Sequence, residues 1–466
     1  MPGKSGSRND NLIVGLSIGT TKTTMIVAKK DANYPDSVRV LGFGPANSKG
    51  IAKGIIASHP EARQSVAKAF QEAQSITGIP AKNLKNVIVA FNALDVQSES
   101  THGMITLGGR DSRAVDEDAL KNVIARARDL VPMRSNMCSL HMIPTRYQLD
   151  GQNVDEPLDM NGSQLDVWLQ TVAFPMTYVQ NVISCVRGAG LEVKGLVLKP
   201  LACALGAVYE EEMRAGCISI CIGGGTTGIV LFRGGRAFRI FSIPIGGEHI
   251  SRDLASVLHL TLREAEFLKR KLLFNNEEEL RSRGIDVDLA FDVVVARVEE
   301  LIDVYIRGAL SECTPQNFPG GIILSGGVSM MPGIDDMMAQ ILQMPVRAVI
   351  RPIYTMPKEL DDASYVDIAG ILKYASILDR DPYMFIKPEQ PLPGLPIPSE
   401  EKEDEKPQKS KKSFFSSSRE DEEEEEADEE PEYETDEEDD DDDSERKPRS
   451  KRKSLRQWLD ELLKMF

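Results

Sequence analysis

Two glycine- and threonine-rich turns in this sequence have the composition of a phosphate-binding loop. Residues 217–232 read CISICIGGGTTGIVLF, in which one apolar run enters three glycines and two threonines and a second apolar run leaves them. Residues 14–27 read VGLSIGTTKTTMIV and follow the same plan, with Ser17 in the place of Cys221. A strand, a glycine turn and a second strand bring backbone N–H groups close to phosphate oxygens. Such turns are common singly, but two in matched register predict two similar halves that hold one ligand between them.

The side chain beside the second turn limits the chemistry of this site. A phosphate site that works through Mg²⁺ needs carboxylates, because this hard cation prefers oxygen ligands. The residue at the end of the first strand is instead Cys221, and neither Cys217 nor Cys221 has a histidine beside it. The sequence therefore favours phosphate binding through the backbone, and no metal site is predicted.

The elements that position these turns alternate between strands and helices. Between about residues 12 and 385, short β-branched runs are interleaved with helical patterns, which predicts an α/β fold with mixed sheets. The predicted strands are NLIVGLSIG, KTTMIVAKK, SVRVLGFG, NVIVAF, LDVWLQTVAF, GLVLKP, CISICIGG, TGIVLFRG and GGIILSGG. The predicted helices are PEARQSVAKAFQEAQSITG, MTYVQNVISCVRGAG, LREAEFLKRKL and YVDIAGILKYASIL.

Length and composition describe a large globular protein with more than one domain. The chain has 466 residues, 41% of them hydrophobic, and six cysteines without a C-x-x-C pair. We expect these cysteines to be reduced core residues of a cytosolic protein. The first ten residues, MPGKSGSRND, contain no apolar stretch, so no secretory signal is expected. No apolar run is long enough to predict a spanning helix.

The formal net charge of −17 is concentrated at the C-terminal end of the sequence. Residues 420–445 contain 21 Asp and Glu and no Lys or Arg, whereas residues 446–466 carry +6. The remaining residues sum to −2, so the body is nearly neutral, and no nucleic-acid partner is expected. The acidic block is either a solvated spacer or a segment that attracts the basic end and tunes its anchoring.

Residues 386–449 differ in character from the body. KPEQPLPGLPIPSEEKEDEKP is rich in proline and charge, and KKSFFSSS and the acidic block follow it. Such a segment buries too little apolar surface to offset its chain entropy, which predicts a disordered linker.

The last seventeen residues, SKRKSLRQWLDELLKMF, predict a short amphipathic helix. Its apolar side chains form one stripe: Leu455, Trp458, Leu459, Leu462, Leu463 and Phe466. Basic side chains precede and flank that stripe: Lys451, Arg452, Lys453 and Arg456. A helix of about 20 Å is too short to span a bilayer, so we expect it to lie at an anionic membrane surface. One tail binds weakly, and several tails on one assembly bind better. The alternative is a helix that docks on the body itself or in a partner's groove.

Longer segments give the sequence a specific resemblance to the FtsA family, bacterial actin-like proteins that tie the FtsZ division ring to the membrane. The matching segments are NSKGIAKGII (47–56), LHMIPTRYQLDGQNVDEPLDMNGSQLDVWLQTV (140–172), GGEHISRDLA (246–255), REAEFLKRK (263–271) and LSGGVSMMPGI (324–334). They occur in the family's order, and the resemblance covers about residues 11–380 and the terminal helix.

The resemblance implies the actin-like fold shared with Hsp70 and sugar kinases, with two duplicated mixed-sheet lobes and an inserted FtsA-type subdomain. The implied segments are 11–90 (first part of subdomain 1A), 91–172 (inserted subdomain 1C), 173–200 (second part of 1A), 201–240 (first part of 2A), 241–300 (subdomain 2B), 301–385 (second part of 2A and return to 1A), 386–449 (linker) and 450–466 (membrane-targeting helix).

The resemblance also implies that ATP, with or without Mg²⁺, lies in the cleft between the lobes. The implied phosphate contacts are Gly19, Thr20, Thr21 and Lys22 in the first hairpin and Gly223, Gly224, Gly225, Thr226 and Thr227 in the second. Glu266 and Lys269 correspond to the pair that reaches the adenosine, and Gly326 and Gly327 to the turn under the base and ribose. Without the resemblance, Glu266 and Lys269 would be interpreted as an exposed ion pair.

Three positions depart from the pattern. Actin-like ATPases commonly carry Asp at the positions of Ser17 and Cys221, and FtsA-like sequences often carry Glu at the position of Lys199. A hydroxyl, a thiol and an ammonium cannot replace carboxylates around Mg²⁺, and no matched carboxylate is left to orient a water. We therefore expect ATP binding with little or no hydrolysis and no catalytic residue. Ser17 and Lys199 stay among the expected nucleotide contacts, and Lys199 supplies part of the positive charge that Mg²⁺ normally brings.

The leading interpretation is a filament-forming cell division protein on the cytoplasmic face of the membrane at the division site. Its expected partners are the FtsZ C-terminal peptide, other copies of itself, the anionic membrane surface and other division proteins. The alternative is an ATP-hydrolysing actin-fold protein, such as an Hsp70-like chaperone, a sugar kinase or a pilus-assembly module. Three observations count against these alternatives. A chaperone needs a substrate-binding domain after the body, where this sequence has an acidic linker. A kinase needs a carboxylate base, and none is matched, whereas a pilus module does not explain the amphipathic tail.

Overall fold

The computed structural model describes residues 12–31, 37–108, 113–132, 136–273, 281 and 285–380. The predicted linker (386–449) and membrane-targeting helix (450–466) lie outside these residues. Within the described part of the chain, no helix has both the length and the apolar character needed to cross a membrane.

The strands and helices of the body alternate as the sequence pattern predicts. The strands are β1 (Leu12–Ile18), β2 (Lys22–Lys30), β3 (Val38–Asn47), β4 (Ile51–Ala52), β5 (Ile55–Ile56), β6 (Asn86–Phe91), β7 (Gln97–Thr106), β8 (Arg113–Ala114), β9 (Met137–Leu149), β10 (Gln152–Val154), β11 (Asn161–Gly162), β12 (Gln164–Pro175), β13 (Glu192–Leu198), β14 (Ile218–Ile222), β15 (Thr227–Arg233), β16 (Arg236–Ile243), β17 (Ile322–Ser325) and β18 (Val346–Ala348). The helices are α1 (His59–Thr77), α2 (Ala81–Leu84), α3 (Glu117–Asp129), α4 (Met176–Gly188), α5 (Lys199–Ala207), α6 (Glu210–Ala215), α7 (Gly247–Val257), α8 (Leu262–Leu273), α9 (Val287–Glu300), α10 (Arg307–Ala309), α11 (Ile334–Leu342) and α12 (Val366–Arg380). A π-helical turn (Leu301–Ile306) joins α9 to α10.

Two five-stranded mixed sheets have the same topology. The first has the order β13-β6-β1-β2-β3 and the second the order β16-β15-β14-β17-β18. In each sheet an antiparallel hairpin, β1–β2 or β14–β15, lies beside parallel strands. Each hairpin's first strand is buried along almost its whole length, because parallel sheets carry cover on both faces. The predicted duplication of the two lobes is therefore confirmed.

The register of the two hairpins places Ser17 and Cys221 at equivalent positions. Ser17 pairs with Thr24 across the first hairpin and with Ala90 on the parallel neighbour β6. Cys221 pairs with Gly228 across the second hairpin and with Ser325 on β17. Each is the last residue but one of its strand, so both lie at the end of their sheets where the turns begin.

A third sheet is inserted into the first lobe. Its order is β10-β9-β12-β7, all neighbours are antiparallel, and α3 packs against it. Buried residues of α3, including Leu120 and Val123, join Leu165 and Val167 of β12 in a separate hydrophobic cluster. This sheet contains most of the 140–172 segment, on which the resemblance largely depends.

Helices α5 and α12 join the two mixed sheets. Helix α12 packs on β1 and β6, α5 packs on β14 and β15, and the two helices pack on each other. The sequence pattern placed Lys199 and Pro200 at the end of a strand, but the structure begins α5 at Lys199. Proline is well suited to the first turn of a helix, because its missing N–H has no partner there in any case. That boundary prediction was therefore wrong by two residues, and the consequence is that Lys199 stands at the start of a helix.

Candidate functional site

The two predicted turns meet at the floor of one cleft. A Cβ built on Gly224 would lie 2.4 Å from Thr21 Cγ2, and one built on Gly225 would lie 2.4 Å from Thr20 Oγ1. Atoms cannot approach so closely, so the two lobes meet in this way only because both positions are glycine. The matched turns of the sequence thus converge in space.

The cleft has a volume of about 580 Å³, within the range of small-ligand sites. Most of the residues predicted to contact nucleotide line it, namely Gly19, Thr20, Thr21, Lys22, Lys199, Gly223, Gly224, Gly225, Thr226, Glu266, Lys269, Gly326 and Gly327. Two of the predicted residues lie beneath the cleft instead. Thr227 is fully buried and donates to the carbonyl of Ile245 at 2.8 Å, whereas Ser17 is buried under a charged cluster.

That charged cluster is centred on Asp367, which the sequence reasoning missed. Asp367 Oδ2 accepts a hydrogen bond from Ser17 Oγ at 2.6 Å and lies 2.9 Å from Lys199 Nζ. Lys199 Nζ also donates to Ser17 Oγ at 3.0 Å. The expectation that no carboxylate is left in this part of the cleft is therefore wrong. The carboxylate comes from α12 rather than from either hairpin.

The charges of this cluster stabilise each other. Burial alone would lower the pKa of Lys199, but the neighbouring Asp367 carboxylate outweighs it and raises that pKa. Burial would likewise raise the pKa of Asp367, but Lys199, Lys22 and the Ser17 hydroxyl bring it below its usual value. The lysine and the aspartate are accordingly both ionised at neutral pH.

Lys22 is the second cation at the cleft floor. Its ammonium donates to Ser364 Oγ at 2.7 Å and lies 3.2 Å from the centre of the Tyr365 ring, in a cation–π contact. Burial lowers the pKa of Lys22 to about 8, and Asp367 and Asp362 oppose this shift only in part. The charge of Lys22 is therefore sensitive to mildly alkaline pH.

The residues present do not fit a magnesium site. Among the described residues, no group of three or more His, Cys, Asp or Glu side chains is placed to hold a metal ion. Both oxygens of Asp367 are already engaged, Oδ2 by Ser17 and Lys199 and Oδ1 by the N–H of Ile368 at 2.9 Å. A metal ion in contact with this carboxylate would have to displace Lys199 and bring two positive charges close together.

Two thiols, those of Cys203 and Cys221, also lie near this cluster. Cys221 and Cys203 are buried neighbours that line the cleft, and all six cysteines of the chain are free thiols. The hydrogen bond with Cys221 and burial raise the pKa of Cys203 well above its ordinary value. Five of the six cysteines are core residues as expected, whereas Cys313 is only half-buried.

Glu266 and Lys269 line the cleft from α8, and the pair is not an exposed one. Lys269 is 8% exposed, and its Nζ donates to Glu266 Oε2 at 2.6 Å, Gly247 O at 2.8 Å and Ser251 Oγ at 2.9 Å. Burial would raise the pKa of Glu266, but Lys269 lowers it below its usual value. Hydrogen bonds to Gly247 and Ser251 of α7 therefore hold this pair in place. The interpretation as an exposed ion pair is excluded.

Comparison with known families identifies the body. A family model described as "Cell division protein FtsA" matches residues 219–370, and one described as "SHS2 domain inserted in FTSA" matches residues 94–173. The cell division protein FtsA of Bacillus subtilis (strain 168) is 29% identical over 382 residues, which cover 79% of this chain and 84% of that protein.

The chain belongs to the FtsA family.

A second FtsA, from Pseudomonas aeruginosa PAO1, is 29% identical over 355 residues, which cover 73% of this chain and 83% of that protein. Among solved structures, a PilM-PilN type IV pilus biogenesis complex matches with a TM-score of 0.55 at 19% identity, covering 78% of this chain and 98% of that chain. At that identity the likeness concerns the fold alone, and the body of this FtsA-family chain has the predicted actin-like fold with an inserted subdomain.

Proposed function

We propose that this FtsA-family protein links the FtsZ ring to the cytoplasmic face of the membrane at the division site. Family membership supports a role in cell division. The apolar stripe from Leu455 to Phe466, with its preceding basic cluster, is the single observation that carries the membrane anchor. The FtsZ C-terminal peptide, other copies of the chain and other division proteins are its proposed partners.

The proposed ligand of the cleft is ATP. Two opposed glycine turns, two lysine ammonium groups and a volume of about 580 Å³ favour a polyphosphate with an attached base and sugar. The buried pair from α8 lies at the cleft wall, where an adenosine would contact it. The role of ATP in this proposal is to hold the two lobes in a shape that can polymerise.

Hydrolysis is proposed to be slow or absent. Ser17, Cys221 and Lys199 offer no carboxylate for a metal, and Asp367 is held by Lys199 and Ser17. A general base must be free to accept a proton from the attacking water. A purified protein that turns over ATP with Mg²⁺ at about 1 per second or faster, as ordinary enzymes do, would contradict this.

Liposome co-sedimentation tests the anchor. The full chain and a truncation at residue 450 are compared on vesicles with anionic lipid, with and without ATP and the FtsZ C-terminal peptide. The expected result is sedimentation of the full chain with bound peptide and release of the truncated chain. Lipid binding that survives loss of residues 451–466 would refute the proposed anchor.

A further inference from the structure

The floor of the cleft contains a cation that the chain itself supplies, the Lys199 ammonium. Lys199 Nζ lies so close to the first hairpin that a Cβ built on Gly19 would be 2.6 Å from it. The same ammonium contacts Ser17 and Asp367 at 3.0 and 2.9 Å. Its position is fixed from three directions, by the turn, by β1 and by α12.

This cation is both charged and accessible. About a fifth of the Lys199 side chain (21%) is exposed, and the residue lines the cleft. Its counter-ion, Asp367, has only 6% of its side chain exposed and lies below it. Both residues line the cleft, but the lysine side chain is the more exposed of the two, so an entering phosphate has readier access to the positive partner.

A second ammonium reinforces the first. Lys22 lies on the same cleft floor, held by Ser364 and the Tyr365 ring. The two ammonium groups give the floor donors for a phosphate anion, and Asp367 and Asp362 offset part of their charge. Ammonium–phosphate hydrogen bonds are charge-assisted and stronger than neutral ones.

We propose that this cleft binds the phosphates of ATP without Mg²⁺, with the Lys199 ammonium in the role of the metal and Asp367 as the anchor that orients it. The proposal rests on the proposed nucleotide binding and adds that this binding is independent of a divalent cation. Free and magnesium-bound ATP should both enter, because Asp367 is already engaged by Ser17, Lys199 and the N–H of Ile368 and no group of carboxylates among the described residues is placed to hold the metal.

Calorimetric titration of the full chain with ATP tests this, once with excess Mg²⁺ and once with EDTA. ATP is expected to bind in EDTA at least as tightly as with Mg²⁺, since the two lysine ammonium groups attract phosphate charge that no metal has neutralised. Binding that is lost or weakened by about tenfold or more in EDTA would overturn the metal independence alone. Absence of binding in both titrations would overturn the proposed nucleotide function together with this inference.

A variant pair isolates the contribution of Lys199. The double variant Lys199→Met with Asp367→Asn removes the cation without leaving a buried unpaired carboxylate. It should bind ATP about tenfold more weakly in EDTA and recover part of that loss when Mg²⁺ accompanies the nucleotide. The control is Lys373→Met. Lys373 lies on α12, as Asp367 does, but outside the cleft, where it pairs with Glu210 at 2.9 Å. This variant should bind ATP as the unaltered chain does. Unchanged affinity in the double variant would show that Lys199 is not the phosphate-binding cation.

Discussion

Gly206 of α5 and Gly370 of α12 lie back to back where the two helices cross. A Cβ built on Gly206 would lie 2.7 Å from the amide nitrogen of Gly370, and one built on Gly370 would lie 1.6 Å from the carbonyl oxygen of Ala202. Because the backbones touch, the first residues of the two helices come close enough for Lys199 and Asp367 to pair. The same crossing attaches the first mixed sheet to the second.

Substitution of Gly370 by alanine should destabilise the protein strongly. The added methyl group would meet backbone, which cannot rotate away, so we expect a loss of about 2–3 kcal/mol or more in the free energy of unfolding. Urea denaturation measures this loss. Gly308→Ala is the matched control, because Gly308 is also helical but has no heavy atom within 4 Å of its added Cβ. That variant should gain about 0.5–1 kcal/mol, and equal effects at the two positions would contradict the crossing described.

Removal of the buried carboxylate should cost more than removal of an exposed one. Asp367→Asn leaves Lys199 without a counter-ion, for which we expect a loss of about 3–5 kcal/mol at pH 7. The control, Glu210→Gln, removes the charge of a half-exposed carboxylate that pairs with Lys373 and should cost less than about 1 kcal/mol.

The destabilisation caused by Asp367→Asn should also depend on pH, in a direction that follows from the pKa of Asp367. The pKa of Asp367 is lowered on folding, so its stabilisation is complete above the ordinary aspartate pKa of about 3.9 and is lost as the pH falls through the lower folded value. The difference in the free energy of unfolding between the unaltered chain and Asp367→Asn, measured by urea denaturation, should be constant from pH 7 to 5 and shrink below about pH 4. A difference that grows in acid would refute the assigned charge state.

ATP affinity should fall as the pH rises through the pKa of Lys22, which is about 8 in the protein. Below that value Lys22 is charged and attracts phosphate, and above it the free protein carries a neutral amine. We expect about a tenfold loss of affinity between pH 7.5 and 9.5, measured by calorimetry. The pKa of Lys199 is raised, so its charge persists over this range. Lys22→Met should bind more weakly at the lower pH and show a flatter profile, and an equal slope in both proteins would assign the pH effect to another group.

Two neighbouring basic residues on α8 both pair with Glu266 but should differ in how much they stabilise the folded protein. Lys269 is buried and donates to three acceptors, whereas the Arg270 side chain is 65% exposed and contacts Glu266 Oε1 at 3.0 Å. Lys269→Met leaves the Gly247 carbonyl without its side-chain donor and Glu266 with Arg270 and Ser251, so it should lower the free energy of unfolding by about 1–3 kcal/mol. Arg270→Met should lower it by less than about 1 kcal/mol. Thermal and urea denaturation measure both. Similar losses in the two variants would mean that Lys269 is not buried in the folded protein.

The proposed anchor depends on apolar contact with the bilayer. Leu462→Glu places a charge on the apolar stripe and forfeits about 1.5–3 kcal/mol of burial, so binding to anionic vesicles should weaken by about tenfold or more. Gln457→Glu adds the same charge to the polar face and should change the affinity only slightly. Equal losses would favour a purely electrostatic attachment, which salt would screen over about 10 Å at 0.1 M.

The acidic block offers a test of its two interpretations. If residues 420–445 attract the basic end, their deletion should raise the affinity for anionic vesicles at low salt and have a smaller effect at high salt. A spacer would give no change at either salt concentration. Co-sedimentation of the full chain and the deletion variant distinguishes the two.

Much of the fold could be predicted because its periodic patterns are local. The strand KTTMIVAKK coincides with β2, and the two hairpins predicted the duplicated sheets and the equivalence of Ser17 and Cys221. Asp367 was missed because its partner Ser17 lies 350 positions away and because it stands within an otherwise apolar helical pattern. A single aspartate among buried positions is nonetheless a signal, since a charge in a helix core requires a partner. The burial of Lys269 was not predictable from its spacing to Glu266, because α7 supplies the cover.

The contact between the two glycine turns sets how closely the lobes approach at the cleft floor. Gly224 meets Thr21 and Gly225 meets Thr20 without room for one further carbon atom. A single methyl group at either glycine would act as a wedge, and the tilt it imposed would be magnified with distance from the pivot. In the proposed filament each subunit would inherit that tilt at every repeat, so the curvature of such a filament would be sensitive to two missing side chains.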